Sequence, residues 1–225
     1  MRSKRYQELI KKIDKNKIYS LTEALGLIKE TANTKFDSSV EIHIHLGTDP
    51  KKPEQQIRAT VMLPHPTGRE TRIAVFANEK DQKKAQEAGA QVVGGEELIK
   101  EIKASGKLDF DVAIATPEMM RHLGQIAKIL GTQGMMPNPK SETVTPDPVK
   151  TVKELLGGKV AFRSDETSNI HQIIGKVSFE PKVLEDNLKA FIDTIRKARP
   201  EGVKGTYIKS ITLSSTMGPG IRVGS

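Results

Sequence analysis

Apolar positions recur along this chain with two periods. Val40, Ile42, Ile44 and Leu46 alternate with Glu41, His43 and His45, which predicts a half-buried strand. Residues 57–63 read as its partner strand after the polar connector 51–56. Ser20 and Glu23 form a capping-box pattern, and Leu21, Ala24, Leu25, Ile28 and Ala32 share one helical face. A stretch from 73 to 156 then alternates short apolar strands (73–76, 92–93, 110–115) with helices (80–88, 96–105 and 148–156). A further helix is predicted after a Thr116 cap with Pro117 at its first position. That alternation predicts a small, largely parallel α/β sheet. After it come strands at 159–163 and 173–178, a long helix from Pro181, and a last strand at 206–213. Leu184, Leu188, Phe191, Ile192 and Ile195 lie within one arc of that helix. Antiparallel strands with helices on one face form an open-faced α+β domain, a frequent platform for RNA.

Proline and glycine punctuate the chain at 64–68 and at 157–158. Residues 67–156 carry 13 basic and 13 acidic side chains, whereas 1–66 plus 157–225 carry 23 against 15. The whole net charge of +8 therefore sits on the outer segments. This predicts a discontinuous basic domain, 1–66 plus 157–225, with a neutral domain, 67–156, inserted into it. Basic surface of this kind suits a polyanion, because phosphate neutralisation releases counterions. There is no cysteine, hence no disulfide framework and no thiol metal site. The charged run at 1–17 lacks the apolar segment of a secretory signal, and no run of 18 apolar residues occurs. A soluble cytoplasmic protein without a membrane partner is expected.

The stretch LGQIAKILGTQGMMPNPK, 123–140, has the most distinctive composition. Its helical run is expected to break at Gly131. Gly134 and the prolines at 137 and 139 then predict a stiff, exposed loop ending in Lys140. By itself this is as readily a rigid surface turn as a binding loop. The segment resembles the signature LGPRGLMPNPK of the universal ribosomal protein L-one family, the side-stalk proteins of the large subunit. Thr132 and Gln133 stand where that family has Pro-Arg, which removes one cation. The resemblance extends over KFDSSVEIHIHLGTDPKKPEQQIRATVMLPH (35–65), GGEELI (94–99), DFDVAIATPEMM (109–120), KVAFRSDETSNIHQIIGK (159–176) and KGTYIKSITLSSTMGPG (204–220).

The resemblance implies an α/β protein of two domains: an open-faced α+β RNA-binding domain carrying an inserted Rossmann-like α/β domain. It implies 23S rRNA of the mobile side stalk as partner, a part in releasing deacylated tRNA from the exit site, and repression of the chain's own mRNA. No cofactor is implied, and a monomer is expected when free. The segment 214–220 offers hydroxyls, a flexible apolar side chain and two glycines, suited to ribose 2′-OH and phosphate. The resemblance places rRNA recognition on Thr216, Met217 and Gly218, with Ser210 in the preceding strand. Lys35, Ser39 and Glu41 supply charge and acceptors at the start of the first strand. Phe36 fits a core plug and a stacking platform equally. Arg163 is suited to phosphate, with Asp165 to orient it. Gly131, Gly134, Asn138 and Lys140 form a candidate secondary RNA contact.

Other chemistries have weaker signals. Glu41, His43 and His45 share a strand face, but no third metal ligand is obviously spaced with them. The 67–156 segment has neither GxGxxG after its first strand nor GxxxxGK[ST]. Glu96 and Glu97 after Gly94-Gly95 oppose phosphate. Two alternatives stay open at this level: a nucleotide-dependent enzyme, and a polyanion binder without a defined RNA site.

Overall fold

The computed structural model describes residues 3–14 and 17–224. Four residues of the charged N-terminal run, 1, 2, 15 and 16, lie outside them. The chain divides into two compact units, 1–68 with 161–225 and the contiguous 69–160.

In the outer unit, α1 (Lys4–Lys11) and α2 (Leu21–Thr31) precede β1 (Ser39–Leu46) and β2 (Arg58–Met62). The chain re-enters through β6 (Lys159–Arg163), then forms β7 (Asn169–Lys176), α8 (Pro181–Lys197), β8 (Ile208–Ser215) and β9 (Ile221–Val223). The four-stranded sheet has the order β7-β1-β8-β9, antiparallel throughout. Val40, Ile42, Ile44 and Leu46 are fully buried while their odd-numbered neighbours are half-exposed. Period-two patterning on a one-sided sheet requires this, since only one face meets helices. The covering helices are α2 and α8. Ser20 accepts from the Glu23 N–H and Glu23 accepts from the Ser20 N–H, so the capping box is complete. Leu184, Leu188, Phe191 and Ile195 of α8 are fully buried, and Phe191 meets Phe162 edge-on at 5.1 Å. Gly175 lets α8 approach β7: a Cβ there would lie 2.7 Å from Leu184 and 3.0 Å from Phe179.

Two expectations fail in this unit, and one element was not anticipated. The 57–63 strand does not pair with β1; β2 pairs with β6, and β1 lies between β7 and β8. The final strand runs on to Ser215 and is followed by β9. The charged N-terminus forms α1, capped by Ser3 and held by buried Leu9 and Ile13.

The inserted unit holds β3 (Ile73–Phe76), α3 (Glu79–Glu87), β4 (Val92–Gly94), α4 (Glu96–Ser105) and β5 (Val112–Ala115). Short helices α5 (Met120–Leu123) and α6 (Ala127–Thr132) follow, then α7 (Pro148–Leu156). Its parallel sheet has the order β4-β3-β5. Consecutive β3 residues feed opposite cores. Ala74 and Phe76 pack with Ile99, Leu123 and Leu130, whereas Ile73 and Val75 pack with Ala85 and Val152. A strand covered on both faces is apolar at every position, as this one is. The architecture is a two-unit α/β fold with the parallel unit inserted into the open-faced one. Asp147 caps α7 by accepting from the Lys150 N–H. Thr116 caps nothing: its hydroxyl is buried without a partner, and the helix starts only at Met120.

Candidate nucleic-acid interface

The turn after β8 is built from both ends of the outer unit. The Thr216 N–H donates to the Ser39 carbonyl at 3.0 Å, and the Ser39 N–H donates to the Thr216 hydroxyl at 3.1 Å. That hydroxyl has the Ser39 carbonyl at 3.3 Å and a Glu41 carboxylate oxygen at 3.5 Å. Thr216 is thus a joint between β1 and the turn, and its hydroxyl is internally committed. Lys176 on β7 donates to the Ser39 hydroxyl at 3.0 Å, adding a cation to the same corner. Met217 adopts φ +66 and is 66% exposed. Its flexible apolar side chain is thus held into solvent.

Gly218 closes the turn, its N–H donating to the Ser215 carbonyl at 2.8 Å. A Cβ at Gly218 would strike the Ser215 hydroxyl, so the backbone stays bare there. Phe36, three residues before the joint, is 56% exposed and resolves its own ambiguity: it is no core plug. Lys35 beside it is exposed, and Asp37 accepts from the Ser178 N–H and hydroxyl at 3.2 and 2.8 Å.

Across the sheet, the half-exposed side chains form rows. Glu41 lies opposite Ser214, His43 opposite Thr212, and His45 opposite Ser210. Ser210 shares the face of Glu41 but stands at the far end of β8 from the turn. The His43 and His171 Nδ1 atoms are 2.8 Å apart, and His43 Nε2 is 3.0 Å from the Ser214 hydroxyl. Burial pushes the His43 imidazole down, and the neighbouring His171 adds to this against the pull of Glu41.

Asp165 was expected to orient Arg163. Its carboxylate instead ties the 165–169 turn, accepting from the Thr167 N–H, the Thr167 hydroxyl and the Asn169 N–H at 2.7–2.9 Å. Partial burial alone would raise this carboxyl; the donors from Asn169 and Thr167 outweigh it and hold it down at about 2. Asn and Asp side chains capture following backbone donors whenever the turn allows it. Arg163 remains exposed at the end of β6.

The secondary candidate lies wholly in the inserted unit. Gly131 does not end the helix; it sits inside α6 with open space where a Cβ would go. Gly134 takes φ +71. The loop is less exposed than predicted, because Pro137 is buried and Met135 and Met136 pack on the core beside Leu130. Its stiffness comes from Asn138, whose side chain accepts from the Lys140 N–H at 2.8 Å, while its own N–H donates to the Thr143 hydroxyl at 2.8 Å. Lys140 is left exposed.

A cavity of about 680 Å³ opens beside the ends of β3 and β4. This is where ligands bind in open parallel sheets. Its walls carry Glu79, Glu96, Glu97, Glu101 and Glu118 against Lys100 and His122. Glu96 stands 3.2 Å from His122, and Glu118 accepts from Asn78 at 2.6 Å. Five carboxylates repel a nucleotide phosphate, so this cavity is of the wrong sign to hold one.

The sequence profile of the Ribosomal protein L1p/L10e family matches residues 28–219. The chain belongs to this family. A relative from Mycoplasma capricolum subsp. capricolum is 56% identical over 221 residues, covering 98% of this chain and 97% of the relative. One from Chloroflexus aurantiacus is 50% identical over 222 residues, 98% of this chain and 94% of the relative. A third, from Thermosipho melanesiensis, is 49% identical over 221 residues, 98% and 95% of the two chains. Each of these relatives is named large ribosomal subunit protein uL1. Family membership makes the chain a ribosomal protein, not an enzyme. Among the described residues, no helix is long and apolar enough to cross a membrane.

Proposed function

We propose that the chain is a structural constituent of the large ribosomal subunit, located on ribosomes in the cytoplasm, and that it binds 23S rRNA of the side stalk through the outer unit. The carrying observation is the Ser39–Thr216 joint, which fixes exposed Met217 and bare Gly218 at a corner reached by Lys176, with Lys35 and Phe36 exposed just before Ser39. Backbone without side chains admits a close approach of ribose and phosphate; Met217 and Phe36 supply apolar surface for sugar or base. Glu41, half-exposed at the joint, accepts from 2′-OH or base amines and so adds specificity rather than attraction. Charge supports the same unit, since 1–68 with 161–225 holds 22 basic and 15 acidic residues.

Lys140 and the 131–140 loop provide a second, weaker RNA contact. The resemblance to side-stalk proteins supports assistance to exit-site tRNA release. It also supports repression of the chain's own mRNA, where a structural mimic of the stalk would occupy the same surface. Binding to a stalk rRNA fragment and to a scrambled structured RNA, each across a salt titration, tests the central claim. The stalk fragment should stay bound at salt that releases the scrambled RNA. Coincident release of both would reduce the protein to a polyanion binder and overturn the reading.

A further inference from the structure

The recognition turn is held from a third direction, by the N-terminal helix. Arg5 stands in the first turn of α1, 212 residues from Met217, and its Nη2 donates to the Met217 carbonyl at 3.0 Å. Its Nη1 donates to the Asn33 side-chain oxygen at 2.8 Å. One planar guanidinium therefore spans the turn and the segment that leaves α2. Asn33 is fixed in turn, its N–H donating to the Thr31 carbonyl at 3.0 Å.

Met217 needs such a hold. A side chain other than glycine in the left-handed region is disfavoured and persists only where its surroundings over-determine it. Anchoring the Met217 carbonyl fixes the 217–218 peptide plane, hence the direction of the Met217 side chain and of the bare Gly218 backbone. The helix that carries Arg5 is itself seated on the unit. The buried side chains Leu9 and Ile13 seat the α1 segment. The Asp14 N–H donates to the Tyr19 hydroxyl at 3.0 Å, and Tyr19 exchanges backbone hydrogen bonds with Arg222 and Gly224 at 3.0 and 3.1 Å.

We infer that Arg5 is a positioning residue for RNA recognition: it holds the Met217 turn in its binding shape by bridging Met217 and Asn33, and does not act by pairing with a phosphate. The inference rests on the proposed role of the turn. Lysine keeps the charge of arginine but lacks the planar fork, so it cannot make both contacts in one geometry. A phosphate contact would tolerate that exchange far better and would contribute to the salt dependence.

The test measures affinity of full-length Arg5→Lys, Arg5→Gln, Asn33→Ala and Met217→Ala for the stalk rRNA fragment across a salt series, with thermal melting to verify folding. Both Arg5 variants should bind about tenfold more weakly, the loss of one charge-assisted hydrogen bond. Arg5→Lys should not rescue, and the salt slope should stay that of the parent. Asn33→Ala, which changes no charge, should weaken binding in the same direction. Rescue by lysine together with unaffected Asn33→Ala would show a direct phosphate contact and overturn the inference. So would unchanged affinity of both Arg5 variants while Met217→Ala binds poorly. Unchanged affinity of Met217→Ala would overturn the reading of the turn itself, and the role of Arg5 with it.

Discussion

The 214–220 turn and the 131–140 loop both join glycine to methionine, yet they are stabilised in opposite ways. The turn is tied to Ser39 and to Arg5, residues far away in sequence, and holds Met217 in solvent. The loop is tied locally, Asn138 to Thr143 just beyond it, and turns Met135 and Met136 inward. Long-range ties make the shape of the turn a property of the whole outer unit. Local ties make the loop part of the packing of its own domain, with Lys140 as its main offering to a partner.

The comparison breaks most decisively at Gly218. Gly218→Val drives a side chain into Ser215 and should weaken stalk rRNA binding about a hundredfold or more, equivalent to ~3 kcal/mol, in a filter or calorimetric assay. Near-parental affinity would mean that bare backbone is not what the RNA reads. Next comes removal of the loop with its whole domain. A chain joining Gly68 to Ala161 through a short glycine linker should keep rRNA affinity within about fivefold, a change of ~1 kcal/mol. A folded protein of this kind that lost specificity would transfer recognition to the inserted unit.

Lys140→Ala should cost about threefold in affinity and lower the salt slope by roughly one charge. An unaltered slope would remove Lys140 from the interface. The smallest expected effect is on pH dependence. His43 binds its proton less readily folded than unfolded, so the unfolded state takes up more protons as pH falls below 6.5, the ordinary value for histidine. Stability should therefore decline from near pH 6.5 downward and be fully present above it. His43→Gln should flatten that slope in denaturant melts between about pH 5 and 8; an identical slope would assign the titration elsewhere.

Much of this was written in local pattern. The alternation at 40–46 and the capping box at Ser20 are as read, because one residue's neighbours decide them. The pairing of β2 with β6 was not legible, since period two specifies a face and says nothing of which strand lies alongside. β9 is only three residues long, too short for a periodic signal, and α1 buries a single side chain within its helical span. Missing α1 hid Arg5 and with it a support of the 214–220 turn. Phe36 shows a different limit: its residue type fits burial and exposure equally, and only packing decides. The role of Asp165 was misread because its nearest competitors, the donors at Thr167 and Asn169, lie within four residues and outbid Arg163.

The joint between Ser39 and Thr216 spans 177 positions. During synthesis at about 5–20 residues per second, these two halves leave the ribosome roughly 10–35 s apart. The inserted unit, contiguous from 69 to 160, has all its strands long before β8 exists to pair with β1. A nascent chain thus carries a complete parallel domain while the Ser39–Thr216 corner is still two separated fragments. Under the proposed role, recognition becomes possible only after β8 and the 214–220 turn have been made, later than the whole inserted domain.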